Sequence, residues 1–271
     1  MFVTDKIVYL QMQKTGSTHV TNVLAKYCGG RYEEKHSQLK DHRQHGSRLI
    51  VSSVRNPWDW YVSQWAFGCT RHGELRRYFD NLPGSELRQA VRRGDFGSML
   101  RFPLGTLIGR PDWQSLYSDP NNEANFREWL RLILEFEGLH IGSQGYASSP
   151  VKNAVGLMTY LFLALTTNYA EWMRTGRKCR TYDEVSVFAD KHGIVNQVLR
   201  AETLNEDLFN LLKATGADVS RQEAAEWGKF NTSSRRVHSE YYDEETCGLV
   251  QKRDRFIVDR FRYELIQQQA A

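Results

Sequence analysis

Short apolar runs alternate with longer segments of helical period along this chain. Ile7-Val8-Tyr9-Leu10 forms the centre of a predicted strand over residues 6–11, and Ser17 to Tyr27 follows with helical spacing. A second apolar run, Arg48 to Val54, has strand length. Pro57 then stands where a helix tolerates proline best, in the first turn, with Asn56 before it as N-cap. That helix carries Trp58, Trp60, Tyr61 and Trp65. Helical spacing recurs at Glu86 to Arg93 and Asn125 to Phe136, with Pro111 to Asn122 between them as loop. Val151 to Arg174 predicts one long, partly buried helix. Ile194 to Leu199 is the third main strand, leading into a helix through Leu212, and a last helix runs from about Tyr241 to Leu265. A short strand is expected near Arg31-Tyr32. Uninterrupted apolar strands alternating with helices imply an α/β chain with a mostly parallel sheet covered on both faces. No repeat or linker divides the 271 residues, so one domain is expected.

Composition changes this picture little: 41% hydrophobic and 25% charged residues are ordinary for a globular protein. Charge distribution says more. Between Phe67 and Arg110 stand eight arginines against four acids, an excess equal to the +4 of the whole chain. A segment of this kind suits an acidic glycan, or simply a solvated face of Arg-Glu pairs. The cysteines, Cys28, Cys69, Cys179 and Cys247, show no metal-ligand spacing, so no metal is expected, and their scatter suits reduced thiols. Met1 stands almost at the first strand, so no signal peptide is expected. The most apolar stretch, Val155 to Leu165, falls short of the roughly 20 residues of a membrane span. These features predict a soluble cytoplasmic protein with no membrane or nucleic-acid partner.

The chemistry gathers at two strand ends. After the first strand comes Lys14-Thr15-Gly16-Ser17-Thr18, at a strand-to-helix turn. Backbone N–H groups without intrahelical partners and the positive end of the helix dipole there suit a phosphate or sulfate. Gly16 permits close approach, Ser17 and Thr18 add hydroxyls, and Lys14 adds a point charge. The string is not a Walker A loop, G-x-x-x-x-G-K-[ST], because lysine precedes the glycine and no glycine lies upstream. Nor does an apolar run end in the aspartate that holds magnesium in P-loop NTPases; Gln11, Arg55 and Arg200 follow them instead. After the second strand, Arg55 can grip a phosphate bidentately, and Ser63 lies two helical turns further on. Arg55 as a structural ion-pair partner is the competing reading. Two anion sites at this spacing suit a nucleotide with phosphates at both ends.

Here the chain resembles the sulfotransferases that use 3′-phosphoadenosine 5′-phosphosulfate (PAPS), the carbohydrate enzymes of the Golgi type and their bacterial relatives above all. Their 5′-phosphosulfate loop is similar to Gln13 through Thr18, and their 3′-phosphate element to Val54-Arg55-Asn56-Pro57 with Ser63. Leu199 through Leu208 is also similar, as are Asn231-Thr232-Ser233, Tyr241-Tyr242, Asp254 and Phe261-Arg262-Tyr263. Residues 70–190 are unmatched, and Arg262 stands where the family usually has glycine. The Golgi enzymes also carry a membrane anchor, so a bacterial-type protein, or the soluble luminal domain of a Golgi-type enzyme, is the expectation.

The resemblance implies a P-loop NTPase-like three-layer fold and roles residue by residue. Lys14 would contact the bridging oxygen of PAPS. Thr15, Gly16, Ser17 and Thr18 would hold the phosphosulfate, and Arg55 and Ser63 the 3′-phosphate. Thr232, Ser233 and Arg235 would close over the nucleotide. A histidine base is expected in the interval holding Lys35-His36, which makes His36 the candidate, with His42, His45 and Glu34 as alternatives. A histidine or carboxylate there can take the acceptor hydroxyl's proton. His140 and Gln144 are candidates for the acceptor side, as are Trp113, Tyr117, Trp129, Tyr146 and Trp172, unless those rings are core. The acceptor would be a glycan or a small hydroxylated metabolite. A P-loop kinase or NTPase, and a non-catalytic nucleotide- or polyanion-binding module, are the other readings.

Overall fold

A computed structural model describes residues 1–33, 37–73, 75–76, 113–135, 145–146, 148–228 and 236–264, with the side chains of Trp113 and Gln114 excepted. Five strands, β1 (Phe2–Val3), β2 (Ile7–Leu10), β3 (Arg31–Tyr32), β4 (Leu49–Val54) and β5 (Gln197–Arg200), form one sheet in the order β3-β1-β2-β4-β5. β2, β4 and β5 are parallel, with Tyr9 opposite Val51 and Ser53 opposite Leu199. β1 runs antiparallel to both β2 and β3. The sheet is therefore mixed, where a mostly parallel one was expected. The antiparallel pairs involve strands of two residues, too short to show a period in the sequence.

Helix α1 (Ser17–Cys28) follows β2, and α2 (Pro57–Cys69) follows β4. The α2 start is as expected, with Pro57 in the first turn and the Asn56 side chain accepting from Trp58 N. Short α3 (Trp113–Leu116) lies where loop was expected, and α4 is Glu123–Leu134. Both faces of β2 and β4 are covered, so β2 is apolar throughout and Ser52 and Ser53 of β4 are buried. Ile7, Tyr9 and Val51 pack with Val20 and Leu24 of α1 and with Leu208 and Leu212 of α8 (Leu204–Ala214). Val8, Leu10 and Ile50 pack on Leu39, while Val54 joins a second large core built on α2.

Two expected helices are broken. Residues 151–174 contain a 3-10 turn at Pro150–Asn153, then α5 (Leu157–Thr166) and α6 (Tyr169–Arg174). Thr167 leaves the helix to bridge Gly193, and Asn168 caps α6 by accepting from Glu171 N. The last segment divides into α10 (Glu244–Arg253) and α11 (Arg255–Phe261), after α7 (Tyr182–His192) and the one-turn α9 (Arg221–Ala225). The start of α5 and the α10–α11 break meet at Asp254. This fully buried carboxylate accepts from Tyr61 OH (2.6 Å), Thr159 N (2.8 Å) and Thr159 Oγ1 (2.7 Å), and a Cβ on Gly156 would press into it. Asp254 thus caps α5 from a distance. Burial holds its pKa above the ordinary carboxylate range.

Among the described residues, no helix is long and apolar enough to cross a membrane. All four cysteines are free thiols.

Candidate functional site

The loop between β2 and α1 has a backbone of alternating hand. Lys14 (φ 59°) and Gly16 (φ 83°) are left-handed, while Thr15 between them is not. Such alternation turns successive N–H groups toward one concave side, the backbone form of an anion nest. Gly16 is the N-cap of α1 and has no side chain with which to cap it, so the first-turn N–H groups face outward from the helix start. A Cβ on Gly16 would lie 2.6 Å from Leu204 Cδ2, so the glycine answers both to its dihedral and to the helix packed beside it.

Hydroxyls fasten this loop from below. Thr15 Oγ1 donates to the Met12 carbonyl (2.9 Å) and shares a 2.6 Å bond with Ser53 Oγ, which lies 2.6 Å from Tyr9 OH. Thr15 is fully buried, so its side chain belongs to the sheet and only its backbone N–H can serve an anion. Burial also drives the Tyr9 hydroxyl pKa well upward, which keeps that chain neutral. Ser17 is buried, and Thr18 is half-buried on the first turn of α1.

From the side, α2 straps the loop. Trp60 Nε1 donates to the Gln13 carbonyl (2.8 Å), and Arg55 Nη1 donates to the Lys14 carbonyl (3.0 Å). The same Arg55 Nη1 donates to Ser63 Oγ (3.3 Å), so the three residues read from the two motifs meet at one place. Arg55 also donates from Nε to Asp59 Oδ2 (2.6 Å) and contacts it through Nη2, an ion pair one turn along α2. The ion-pair reading of Arg55 is met by Asp59. The Asp59 pair orients the guanidinium, and Nη1 faces the loop and Ser63. The Lys14 ammonium lies 3.9 Å from the centroid of the Phe67 ring on the last turn of α2.

The third parallel strand completes the rim. After β5, Glu202 accepts from Asn56 N (2.6 Å) and from Tyr263 OH (2.9 Å). Burial is the largest cause holding the Tyr263 hydroxyl pKa well up, and the carboxylate beside it adds to this. Asn205 Oδ1 meets His19 Nε2 of α1 (2.7 Å), and burial lowers the His19 pKa. The carboxyl ends of β2, β4 and β5 therefore converge on one rim, the usual position of ligand sites in open α/β sheets. Asp59 was missed although its spacing from Arg55 is an i,i+4 signal. Glu202 gave no local signal, because Asn56 and Tyr263 are far away in sequence. Arg262 is left-handed (φ 52°) at the end of α11, where the resembling family has glycine, the residue that meets that dihedral without strain.

Other predicted residues fall elsewhere. His42 and His45 lie in the 3-10 turn that feeds the amino end of β4, with the whole strand between them and Arg55. A cleft of about 490 Å³ opens at that amino end, lined by His42, Arg43, Arg48 and Asn196. Tyr117, Trp129, Tyr146 and Trp172 are buried at 4% exposure or less, which makes them core and not acceptor-facing rings. Glu34, His36, His140, Gln144, Thr232, Ser233 and Arg235 lie outside the described residues, as does most of the arginine-rich segment. The Trp227 carbonyl accepts from Asn205, and His238 Nδ1 lies 3.6 Å from Asp59 Oδ1.

No family model matches the chain, no curated protein matches it and no solved structure matches it.

Proposed function

We propose that the chain is a PAPS-dependent sulfotransferase with a P-loop NTPase-like architecture, acting on a hydroxyl of a carbohydrate or another small molecule. The observation that carries the reading is the Arg55 bridge: one guanidinium bonds both the Lys14 carbonyl of the nest and Ser63 of α2. Two anion-binding elements, separated by forty residues of sequence, are thereby adjacent, as a donor with phosphates at both ends of its ribose requires. The nest and Lys14 would hold the 5′-phosphosulfate, and Arg55 with Ser63 the 3′-phosphate.

Transfer is in-line. The acceptor oxygen bonds to sulfur as the bond from sulfur to the bridging phosphate oxygen breaks, and 3′-phosphoadenosine 5′-phosphate (PAP) departs. His36 takes the acceptor's proton. Lys14 and the N–H groups of Gly16, Ser17 and Thr18 neutralise the charge that grows on the leaving phosphate. Positioning and fixed dipoles supply most of the rate. Thermal shift with PAP against ATP plus magnesium separates this reading from a kinase or NTPase. Transfer of labelled sulfate from PAPS to a panel of sugars separates an enzyme from a binding module.

A further inference from the structure

We propose that Phe67 is a positioning residue for Lys14 and competes with the bound anion for its ammonium. The proposal rests on the sulfotransferase reading for the identity of the nucleotide, but its physical basis is local. Lys14 Nζ stands 3.9 Å from the Phe67 centroid, within cation–π range. The backbone on either side of that side chain is fixed. The Gln13 carbonyl is held by Trp60 and the Lys14 carbonyl by Arg55, so only the four-carbon stem of Lys14 can swing. The ring is held as well. The His72 imidazole stacks on it at 5.8 Å and 25°, and a Cβ on Gly73 would lie 3.1 Å from its edge. Phe67 therefore offers Lys14 a destination beside the nest.

An anion in the nest offers a second destination. A charge-assisted contact to phosphate or sulfate is stronger than an exposed cation–π contact, so Lys14 transfers to the anion, and the lost ring contact is subtracted from the affinity. Replacing the ring face should then tighten binding, although Phe67 need touch no part of the nucleotide. A merely structural Phe67 gives the opposite sign, because disturbing the end of α2 would loosen the loop.

Isothermal titration with PAP, and in parallel with pyrophosphate, tests this on wild type, Phe67→Leu and Phe67→Trp, each also in a Lys14→Met background. The expected result is binding about two- to fivefold tighter for Phe67→Leu and weaker for Phe67→Trp, with both effects abolished in Lys14→Met. Unchanged or weaker binding by Phe67→Leu would overturn the proposal, as would an equal shift in the Lys14→Met background. Wild type that binds pyrophosphate with the predicted Phe67 dependence, but not PAP, would keep the competition and refute the sulfotransferase reading.

Discussion

Arg55→Lys keeps the positive charge and removes the fork, which makes it the cleanest probe of the site. In the folded protein the guanidinium joins the Lys14 carbonyl, Ser63 and Asp59, three partners that one ammonium cannot reach together. The side chain is 22% exposed and its partner Asp59 20%, so solvent screens the pair only partly. A hydrogen bond to a charged partner contributes about 1.5–3 kcal/mol and a neutral one about 1 kcal/mol, with some of this retained by lysine. The net loss should be about 2–3 kcal/mol, a fall in Tm of about 5–10 °C for a chain of this size. Thermal unfolding followed by circular dichroism without nucleotide measures that term alone. Repeating the melt with PAP at about 100 times its Kd should add about 2.7 kcal/mol to the wild type. The variant should gain less than about half of that, because binding has weakened tenfold or more. A variant that melts within about 1 °C of wild type and gains as much from PAP would refute the bridge as the organiser of the site.

Three further substitutions probe other parts of the account. Gly16→Ala places a methyl group at a left-handed position and against Leu204; it should cost about 1–2 kcal/mol in urea unfolding and weaken PAP binding more than tenfold by calorimetry. Arg262→Gly should stabilise the protein by about 0.5–1 kcal/mol, since an exposed arginine now holds the left-handed C-cap; destabilisation would show that its side chain contributes contacts of its own. Burial depresses the His19 pKa, so the unfolded chain takes up a proton that the folded one resists. Stability is full above the unfolded value of about 6.5 and falls as pH drops through the folded value, and His19→Gln should lose that part of the slope. Parallel stability curves between pH 7.5 and 5.5, each from urea titration, would contradict this.

The strand-to-helix turns were legible because their signals are local. Ile7-Val8-Tyr9-Leu10 is apolar throughout, the run ending at Val54 is broken only by Ser52 and Ser53, and Asn56-Pro57 marks the α2 start in two residues. The broken helices were not legible. Residues 151–174 have helical spacing, but α5 starts where Asp254, about a hundred residues away, accepts from Thr159 and Tyr61, and it ends where Thr167 bridges Gly193. Tyr117, Trp129, Tyr146 and Trp172 could not be divided between core and acceptor wall without knowing what packs on them. At the candidate site, Lys14, Gly16, Arg55 and Ser63 were singled out from spacing and resemblance together. Glu202 lay in a stretch noted for resemblance alone, and its bond to Asn56, like the contact of Phe67 with Lys14, came only from the fold, because the partners are distant in sequence. The direction of the Thr15 side chain was also beyond the sequence. Its motif position suggests an anion ligand, and only the sheet beneath shows the hydroxyl turned to Ser53.

On the proposed reading the nest and the Arg55–Ser63 clamp hold one donor with two phosphate ends. Calorimetric titration with PAP, adenosine 5′-phosphate and ATP plus magnesium tests it most directly, because the first two ligands differ only in the 3′-phosphate. PAP should bind at least tenfold more tightly than adenosine 5′-phosphate, and Ser63→Ala should narrow the difference. Equal binding of those two ligands, or binding of ATP with magnesium alone, would contradict it.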